Sequence, residues 1–287
     1  MSLKVIHLSV ARGFAGLAKQ LDCESYAAEQ ISGVDWETKA YTYKGGSRVF
    51  MKRLPVIFQG VFRRKLFAWF WVLGHAKNYD FVVMRHMTFD PFSLLFSFFV
   101  GNRVVVFHSK TDQELPLIRP GWRGRAAAFM EKISGYVVVW NAAGVLGVTE
   151  EIRDYHLSKI NERRKVPSSV YPNGILVDNV SPVGDMRSTE AVHLGFMCGS
   201  FAAWHGLDVI MDALFEEEEK HQTSCGVVLH LIGDLGGEQK KLVESFQGSS
   251  SKNKVIWHGR LNEEGYRSIF SQCHVGIGSL AMYRKNL

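Results

Sequence analysis

The sequence has no hydrophobic run long enough to cross a bilayer. Its longest apolar stretches, 66–73 and 89–100, fall short of the roughly 20 residues that a membrane-spanning helix needs. The 4 cysteines are scattered and include no Cys-x-x-Cys pair, which excludes an obvious disulfide framework or zinc site and fits reduced thiols. The opening residues, 1–10, lack the pattern of a signal peptide. We therefore expect a cytoplasmic location.

Acidic residues are missing from Thr38 to Tyr79, although the whole chain has 28 of them against 34 lysines and arginines. The same segment is rich in lysine, arginine, phenylalanine and tryptophan. Basic residues beside aromatics suit an anionic membrane surface, so one interpretation is peripheral contact with the inner face of the plasma membrane through residues 44–77. A solvated basic face above buried aromatics is the other interpretation. Nucleic acid is not an expected partner, because no helix-turn-helix, zinc or RNA-binding motif accompanies the charge.

Strand-like and helix-like segments alternate along the chain, which predicts an α/β fold with parallel sheets. In the first part, we predict strands at 4–9, 36–43, 79–85, 103–108 and 144–149, and helices at 14–30, 122–141 and 150–159. Thr149 is the expected N-cap of the last of these helices. Residues 165–185 contain several prolines and glycines without a helical period. We therefore place a domain boundary there, with domains 1–172 and 173–287.

The alternation restarts after the boundary. We predict strands at 191–197, 226–232, 254–258 and 275–279, and helices at 207–217, 237–246 and 263–273. Leu207, Ile210, Met211 and Leu214 fall on one helix face at 3/4 spacing. A complete doubly wound domain has about six strands, so we expect the second domain to be incomplete.

Candidate functional residues of the first domain follow its strands, because open parallel sheets bind ligands at the carboxyl ends of their strands. Gly13 and Gly16 lie between a strand and a helix, where a backbone can approach an acceptor or a phosphate. A tight turn is the alternative for these glycines. His108 ends another strand and can hydrogen-bond a sugar or exchange a proton near neutral pH, although a structural histidine is the alternative.

Three turns in the second domain share the same position after a strand. Gly199–Gly206 opens a helix whose positive N-terminus suits a diphosphate, and its side chains can donate hydrogen bonds. The other two turns are Gly233–Gly237 and His258–Arg260. The residues predicted to bind a nucleotide here are Ser200, Trp204, His205, Gly233, Asp234, Gly259 and Arg260. Each turn alone is a weak signal, and their order is the specific one.

The order of these motifs, preceded by the Pro-Asn-Gly turn of Tyr171–Gly174, resembles the retaining glycosyltransferases of family 4. The segment Ala142–Tyr155 is similar to the strand and helix that precede the domain crossover in that family. The resemblance covers most of Lys4–Leu287 and is stronger after about residue 132. It implies the GT-B fold, of two Rossmann-like domains, and it places His108 near the acceptor and the transferred sugar as the catalytic residue.

The resemblance also implies an activity. The expected reaction transfers a sugar from a nucleoside-diphosphate sugar to an acceptor hydroxyl with retention, in the synthesis of cell-surface polysaccharide or glycolipid. The expected partners are the nucleotide sugar and a glycan or lipid-linked acceptor. No metal ion or other cofactor is expected, because helix ends and side chains take that role.

The sequence departs from the family pattern in two ways. Ser200 and His205 stand where many members have Arg and Lys, so the cation for the diphosphate is expected from Arg284 or Lys285. The Glu-x7-Glu segment, which binds the donor ribose, lies beyond the last residue, so we expect little transferase activity from residues 1–287 alone. Two alternatives stay open: a GT-B enzyme of another type, such as an epimerase or phosphorylase, and a non-catalytic protein that binds a glycan or nucleotide.

Overall fold

The structure is a computed structural model that describes residues 2–13, 17–115, 121–161, 163–174, 191–220, 225–247 and 252–285. It divides into two compact units, Met1–Asn179 and Val180–Leu287. Each unit is built on one parallel sheet, as the alternating pattern predicts. The predicted domain limits, 1–172 and 173–287, stay a prediction.

The first sheet has seven parallel strands in the order β3-β2-β1-β4-β5-β6-β7. They are β1 (Leu3–Val10), β2 (Val34–Thr42), β3 (Met51–Arg53), β4 (Phe81–Arg85), β5 (Val104–His108), β6 (Gly144–Gly147) and β7 (Ser168–Val170). In the interior strand β1, Val5, Ile6 and Leu8 are all buried. A parallel sheet is covered on both faces, so its central strands need apolar residues at successive positions.

The helices described in this unit are α1 (Leu17–Glu29), α2 (Val61–His75), α3 (Ser93–Val100), α4 (Trp122–Asn141) and α5 (Glu150–Ser158). The predicted helix at 122–141 is confirmed, because Val138 and Val139 are buried against the core and this burial outweighs their local strand preference. Thr149 caps α5 as predicted, since its Oγ1 accepts a hydrogen bond from the amide of Ile152 at 3.4 Å.

Apolar side chains are exposed on α2 and α3. Phe70 and Leu73 of α2 are each 49% exposed, and Phe98 and Phe99 of α3 are each 67% exposed. Phe70 also meets the buried Phe96 of α3 edge-on at 5.5 Å, so the two helices are in direct contact. We call the exposed residues Phe70, Leu73, Leu95, Phe98 and Phe99 the aromatic surface. Within the described ranges, no helix is both long enough and apolar enough to cross a membrane.

The second sheet has four parallel strands in the order β10-β9-β8-β11. Its elements are β8 (Ala191–Ser200), α6 (Leu207–Lys220), β9 (Gly226–Asp234), α7 (Gly237–Gln247), β10 (Lys254–Gly259), α8 (Glu263–Phe270) and β11 (Val275–Ile277). The predicted apolar face of α6 is confirmed, because Leu207, Ile210, Met211 and Leu214 are all buried. They pack with Phe196, Leu229, Leu231 and Phe246 into the core of this unit.

A row of histidines crosses the second sheet. His193 Nδ1 lies 2.9 Å from His230 Nε2, and His230 Nδ1 lies 3.0 Å from His258 Nε2. Burial and the neighbouring rings of His258 and His193 lower the pKa of His230, and burial lowers the pKa of His258. A neutral imidazole donates from one nitrogen and accepts at the other, which lets the rings bond in series.

Candidate functional site

A pocket of about 390 Å³ lies at the carboxyl ends of the neighbouring strands β1, β4 and β5. Its basic lining residues are Arg12, Arg64, Lys65, Arg85, His86 and Lys110, and we call it the basic pocket. The described residues that line it include no Asp or Glu. A wider hollow of about 920 Å³, between Leu157 and Val166, lies at the opposite edge of the sheet. Parallel sheets bind ligands at the carboxyl edge, so the basic pocket is the candidate site of this unit.

Arg85 is the half-buried cation of the basic pocket. Its guanidinium carbon lies 5.7 Å from the centroid of the Phe107 ring, and its Nη1 donates to Gln20 Oε1 at 3.4 Å. Gln20 donates in turn to one oxygen of Glu24 at 3.0 Å, while the other oxygen of Glu24 is bonded to His7. Burial lowers the pKa of Arg85, and Glu24 offsets this effect only in part. Within the described chain, Arg85 therefore has an amide, not a carboxylate, as its direct partner.

Two buried charged side chains hold the segment that follows β4. Glu131, which is 1% exposed, accepts from the Phe89 amide at 2.8 Å and is bonded to His86 Nε2. Lys65 donates to the carbonyl of Thr88 at 2.7 Å and to that of Phe89. These contacts fix Phe89 at a φ of 57°, a conformation that is uncommon for an aromatic residue. Burial raises the pKa of Glu131, but His86 and the Phe89 amide outweigh it and lower the pKa to about 2.

His108 ends β5 but is buried behind the basic pocket, with 1% of its surface exposed. Its ring stacks on His156 at 3.5 Å and lies 4.6 Å from His86, which lines the pocket. Neither ring nitrogen has a hydrogen-bond partner among the described residues. Burial, together with the neighbouring His156, His86 and Lys159, lowers the pKa of His108 well below its ordinary value. His108 is therefore a neutral ring, and its catalytic role stays a prediction.

At the carboxyl edge of the second sheet, β8 and β9 run further than predicted. The β8 strand continues through Ser200, with a register shift after Met197, and β9 continues through Asp234. The predicted turn residues Ser200, Gly233 and Asp234 are therefore strand-end residues. Gly233 has a φ of 131°, and a Cβ atom there would lie 1.7 Å from the carbonyl oxygen of Cys198. The two strand ends approach this closely only because residue 233 is a glycine.

The loop between β8 and α6 is closed by the segment 280–285. The amide of Leu280 donates to the carbonyl of His205 at 3.0 Å, and the amide of Ala281 donates to that of Trp204 at 3.3 Å. Gly206 ends the loop with a φ of 75°, and a Cβ atom there would lie 2.9 Å from Leu280 Cβ. The predicted residues Trp204 and His205 thus sit in a loop whose backbone is fixed on both sides.

Arg284 brings a cation to this loop. It donates to the carbonyl of Ala203 at 3.1 Å and forms an ion pair with Asp208, in the first turn of α6, at 2.7 Å. His205 Nδ1 accepts from the amide of Ala202 at 2.8 Å, so a neutral His205 ring carries its proton on Nε2. A cation and a ring N–H donor therefore flank the N-terminal end of α6, where partial positive charge already accumulates.

The end of β10 completes this edge of the sheet. Asp234 and Arg260 form an exposed ion pair at 2.6 Å, which joins the ends of β9 and β10. Trp257 Nε1 donates to the carbonyl of Gly233 at 2.8 Å. The sequence predicts Gly259 in a turn, but β10 continues through Gly259 and ends there. The φ of Gly259 is 68°. The described residues contain no group of three or more His, Cys, Asp and Glu that could hold a metal ion.

No protein-family model matches the chain, and no curated protein matches it. Among solved structures, it is similar to the catalytic domain of starch synthase IV from Arabidopsis thaliana bound to ADP and acarbose, with 14% identity, a TM-score of 0.59, and 98% of this chain and 79% of that chain covered. An α-glucosyltransferase in complex with UDP and a 13-mer DNA has 12% identity and a TM-score of 0.58, over 96% of this chain and 72% of that one. The chain has the GT-B fold. The UDP-GlcNAc 2-epimerase from Methanocaldococcus jannaschii is similar too, with 13% identity and a TM-score of 0.51, over 96% of this chain and 78% of that chain.

The residues predicted from the sequence lie in two places, one in each unit. The donor residues predicted from the sequence lie at the carboxyl ends of β8, β9 and β10 in the second unit. Gly13 lines the basic pocket of the first unit, and Gly16 lies outside the described residues. Sequence reasoning missed Arg85 and His86, although both directly follow the buried residues of a predicted strand. That position after a strand was the available signal.

Proposed function

We propose that the chain is a glycosyltransferase that moves a sugar from a nucleoside-diphosphate sugar to an acceptor hydroxyl. The observation that supports it most is the carboxyl end of β8 in a GT-B fold, where His205 and Arg284 lie beside the N-terminal end of α6 and Ser200 ends the strand. A cationic side chain, a ring N–H and a helix N-terminus are groups that bind the diphosphate of a nucleotide. Two of the similar structures, the starch synthase and the α-glucosyltransferase, contain ADP and UDP, respectively.

The finer parts of the proposal come from the resemblance to family 4. We propose transfer with retention, in the synthesis of cell-surface polysaccharide or glycolipid, without a metal ion. The second unit then holds the donor and stabilises the leaving diphosphate with Arg284 and the α6 N-terminus. The first unit orients the acceptor, with His108 as the predicted catalytic residue. The aromatic surface and the basic residues within 44–77 suit peripheral contact with an anionic membrane.

Calorimetric titration of the 287-residue chain with UDP, ADP and GDP tests the donor site. We expect one of the three to bind, and Arg284→Gln to weaken that binding at least tenfold, since a charge-assisted hydrogen bond contributes about 1.5–3 kcal/mol. Arg267→Gln is the matched control, because Arg267 also pairs with a carboxylate but lies on α8, away from the loop. If none of the three nucleotides binds, residues 1–287 do not form a donor site by themselves, and the non-catalytic glycan-binding alternative is favoured for this chain.

A second candidate function is a sugar-nucleotide epimerase, because a solved 2-epimerase shares the fold. An epimerase converts UDP-GlcNAc to its isomer without an acceptor, whereas a transferase releases UDP only when an acceptor or water receives the sugar. Incubation with UDP-GlcNAc alone, followed by chromatography, separates the two. A new sugar-nucleotide isomer in that sample would favour the epimerase.

A further inference from the structure

We propose that the basic pocket of the first unit binds a phosphate group carried by the acceptor. This inference names the acceptor class and rests on the proposed transferase function. The ligand is a phosphomonoester or phosphodiester, not a neutral glycan. It enters at the carboxyl ends of β1, β4 and β5, where Arg12, Arg64 and Arg85 line the space.

The charge of the basic pocket is one-sided. Five of its lining residues are Lys or Arg, and the lining residues that the structure describes include no carboxylate. The nearest buried acids face other groups: Glu131 is bonded to His86, and Glu24 is bonded to His7 and Gln20. A cleft lined by one sign of charge concentrates the opposite sign from solution.

Arg85 supplies the second argument. A partly desolvated guanidinium without a carboxylate in direct contact is unfavourable. Among the described residues, Arg85 contacts the Gln20 amide and the Phe107 ring, while the Glu24 carboxylate acts on it only through Gln20 and offsets the burial only in part. Arginine presents a planar fork of N–H donors that matches two phosphate oxygens at once. An anion from outside the chain would therefore complete the interactions of Arg85.

The frame of the basic pocket is set before any ligand arrives. Lys65 and Glu131 hold the backbone of Thr88 and Phe89, and Glu131 also fixes the ring of His86. Arg64 has no ion pair among the described residues and is half-buried beside Lys65 on α2. A pocket with fixed walls, whose arginines have no ion pair among the described residues, binds an anion at little cost in conformational entropy.

The test compares two neighbouring arginines of α2. Arg64 lines the basic pocket, whereas Arg63 is exposed outside it and makes one weak contact to the carbonyl of Ile57 at 3.5 Å. Arg64→Gln and Arg63→Gln remove the same charge one residue apart. Inorganic phosphate is titrated into both variants, into Arg85→Gln and into the wild type, at constant ionic strength. Melting temperatures show that each variant is folded. Flotation with phosphatidylcholine vesicles, with and without phosphatidic acid, tests the lipid source.

We expect Arg64→Gln and Arg85→Gln to weaken phosphate binding at least tenfold, and Arg63→Gln to change it less than twofold. Binding to phosphatidic acid vesicles alone, lost in Arg64→Gln and kept in Arg63→Gln, would support the proposal and assign the phosphate to a lipid. Equal losses in the two α2 variants would overturn it, since they would mean unspecific attraction. No binding to either probe would overturn it too. Nucleotide binding is measured separately at the second unit, so the transferase proposal can stand when this one fails.

Discussion

His108 is predicted to be catalytic, but its surroundings are those of a buried side chain. It is buried, uncharged and stacked on His156, and neither nitrogen has a partner among the described residues. A buried polar group without a hydrogen bond costs about 1–3 kcal/mol. The imidazole therefore lowers the free energy of unfolding at this position, and locally unfavourable features of this kind are common at functional sites.

Replacing this imidazole by an apolar side chain tests whether it lowers the stability of the fold. We expect His108→Leu to raise the free energy of unfolding by about 1 kcal/mol, because it removes two unsatisfied nitrogens and keeps a similar volume. Denaturant unfolding measures the change. If His108 is catalytic, the same variant also abolishes sugar transfer. A clear loss of stability would mean that the ring has hydrogen-bond partners in solution, and the assignment of His108 as an unsatisfied group would be wrong.

The positions of the candidate residues at strand ends were easier to predict than the residues that their side chains contact. His108 and Gly13 were found because strand ends are visible as the last apolar residues before a polar turn. The stacking of His108 on His156 depends on packing between β5 and α5, which no local pattern encodes. The turns at Ser200, Gly233 and Gly259 were predicted before the strands actually end. The length of these strands depends on their pairing with neighbouring strands, which the local sequence does not show.

The helices α2 and α3 were missed for a physical reason at the scale of the element. Both carry aromatic residues on the buried and the exposed side, so the apolar pattern has no clear 3.6-residue period. Trp69 and Phe96 are buried, while Phe70, Phe98 and Phe99 are exposed. The short strand β3 was also missed, because Met51–Arg53 is mostly charged and exposed. Elements with one apolar face, such as α6, were predicted correctly.

Exposed phenylalanines on α3 carry the proposed membrane contact. We expect Phe98→Ser with Phe99→Ser to reduce flotation with vesicles of phosphatidylserine and phosphatidylcholine by at least fivefold, since the burial of each ring contributes about 2 kcal/mol. Tyr26→Ser on α1, where the tyrosine is 48% exposed, is the control for loss of an exposed aromatic. Equal flotation of the double variant and the wild type would exclude this surface as the contact.

At the scale of the whole molecule, the α/β class and the parallel sheets were predictable, and the likeness to solved structures confirms the GT-B fold. Alternating strands and helices define such a fold almost without reference to individual contacts. Both units nevertheless share a feature that the pattern did not reveal. Each contains buried histidines with lowered pKa values: His108 and His156 in the first unit, and His230 in the second.

These histidines predict that the protein loses stability in mild acid. Their pKa values in the folded chain lie below the unfolded value of about 6.5, so the unfolded chain binds protons more readily. The full stability that the fold has with these rings neutral is therefore present above pH 6.5, and it is lost progressively as the pH falls below 6.5. For His156, whose folded pKa is about 3, the loss between pH 7.5 and pH 5 is about 2 kcal/mol. Glu131, whose pKa is lowered to about 2, adds a further loss only below about pH 4.5.

Thermal unfolding at pH 7.5 and pH 5 measures this loss of stability. Variants in each unit show which histidines cause it. His230→Gln removes a titrating ring from the second sheet, so we expect it to reduce the acid shift of that unit's transition while leaving the first unit's transition unchanged. His75→Gln, at an exposed ring at the end of α2, is the control and should leave both shifts as they are. Because His108 and His156 titrate within the first unit's own core, its acid shift should persist in both variants. A wild-type melting temperature that does not fall between pH 7.5 and pH 5 would show that these rings are protonated as easily in the folded chain as in the unfolded one.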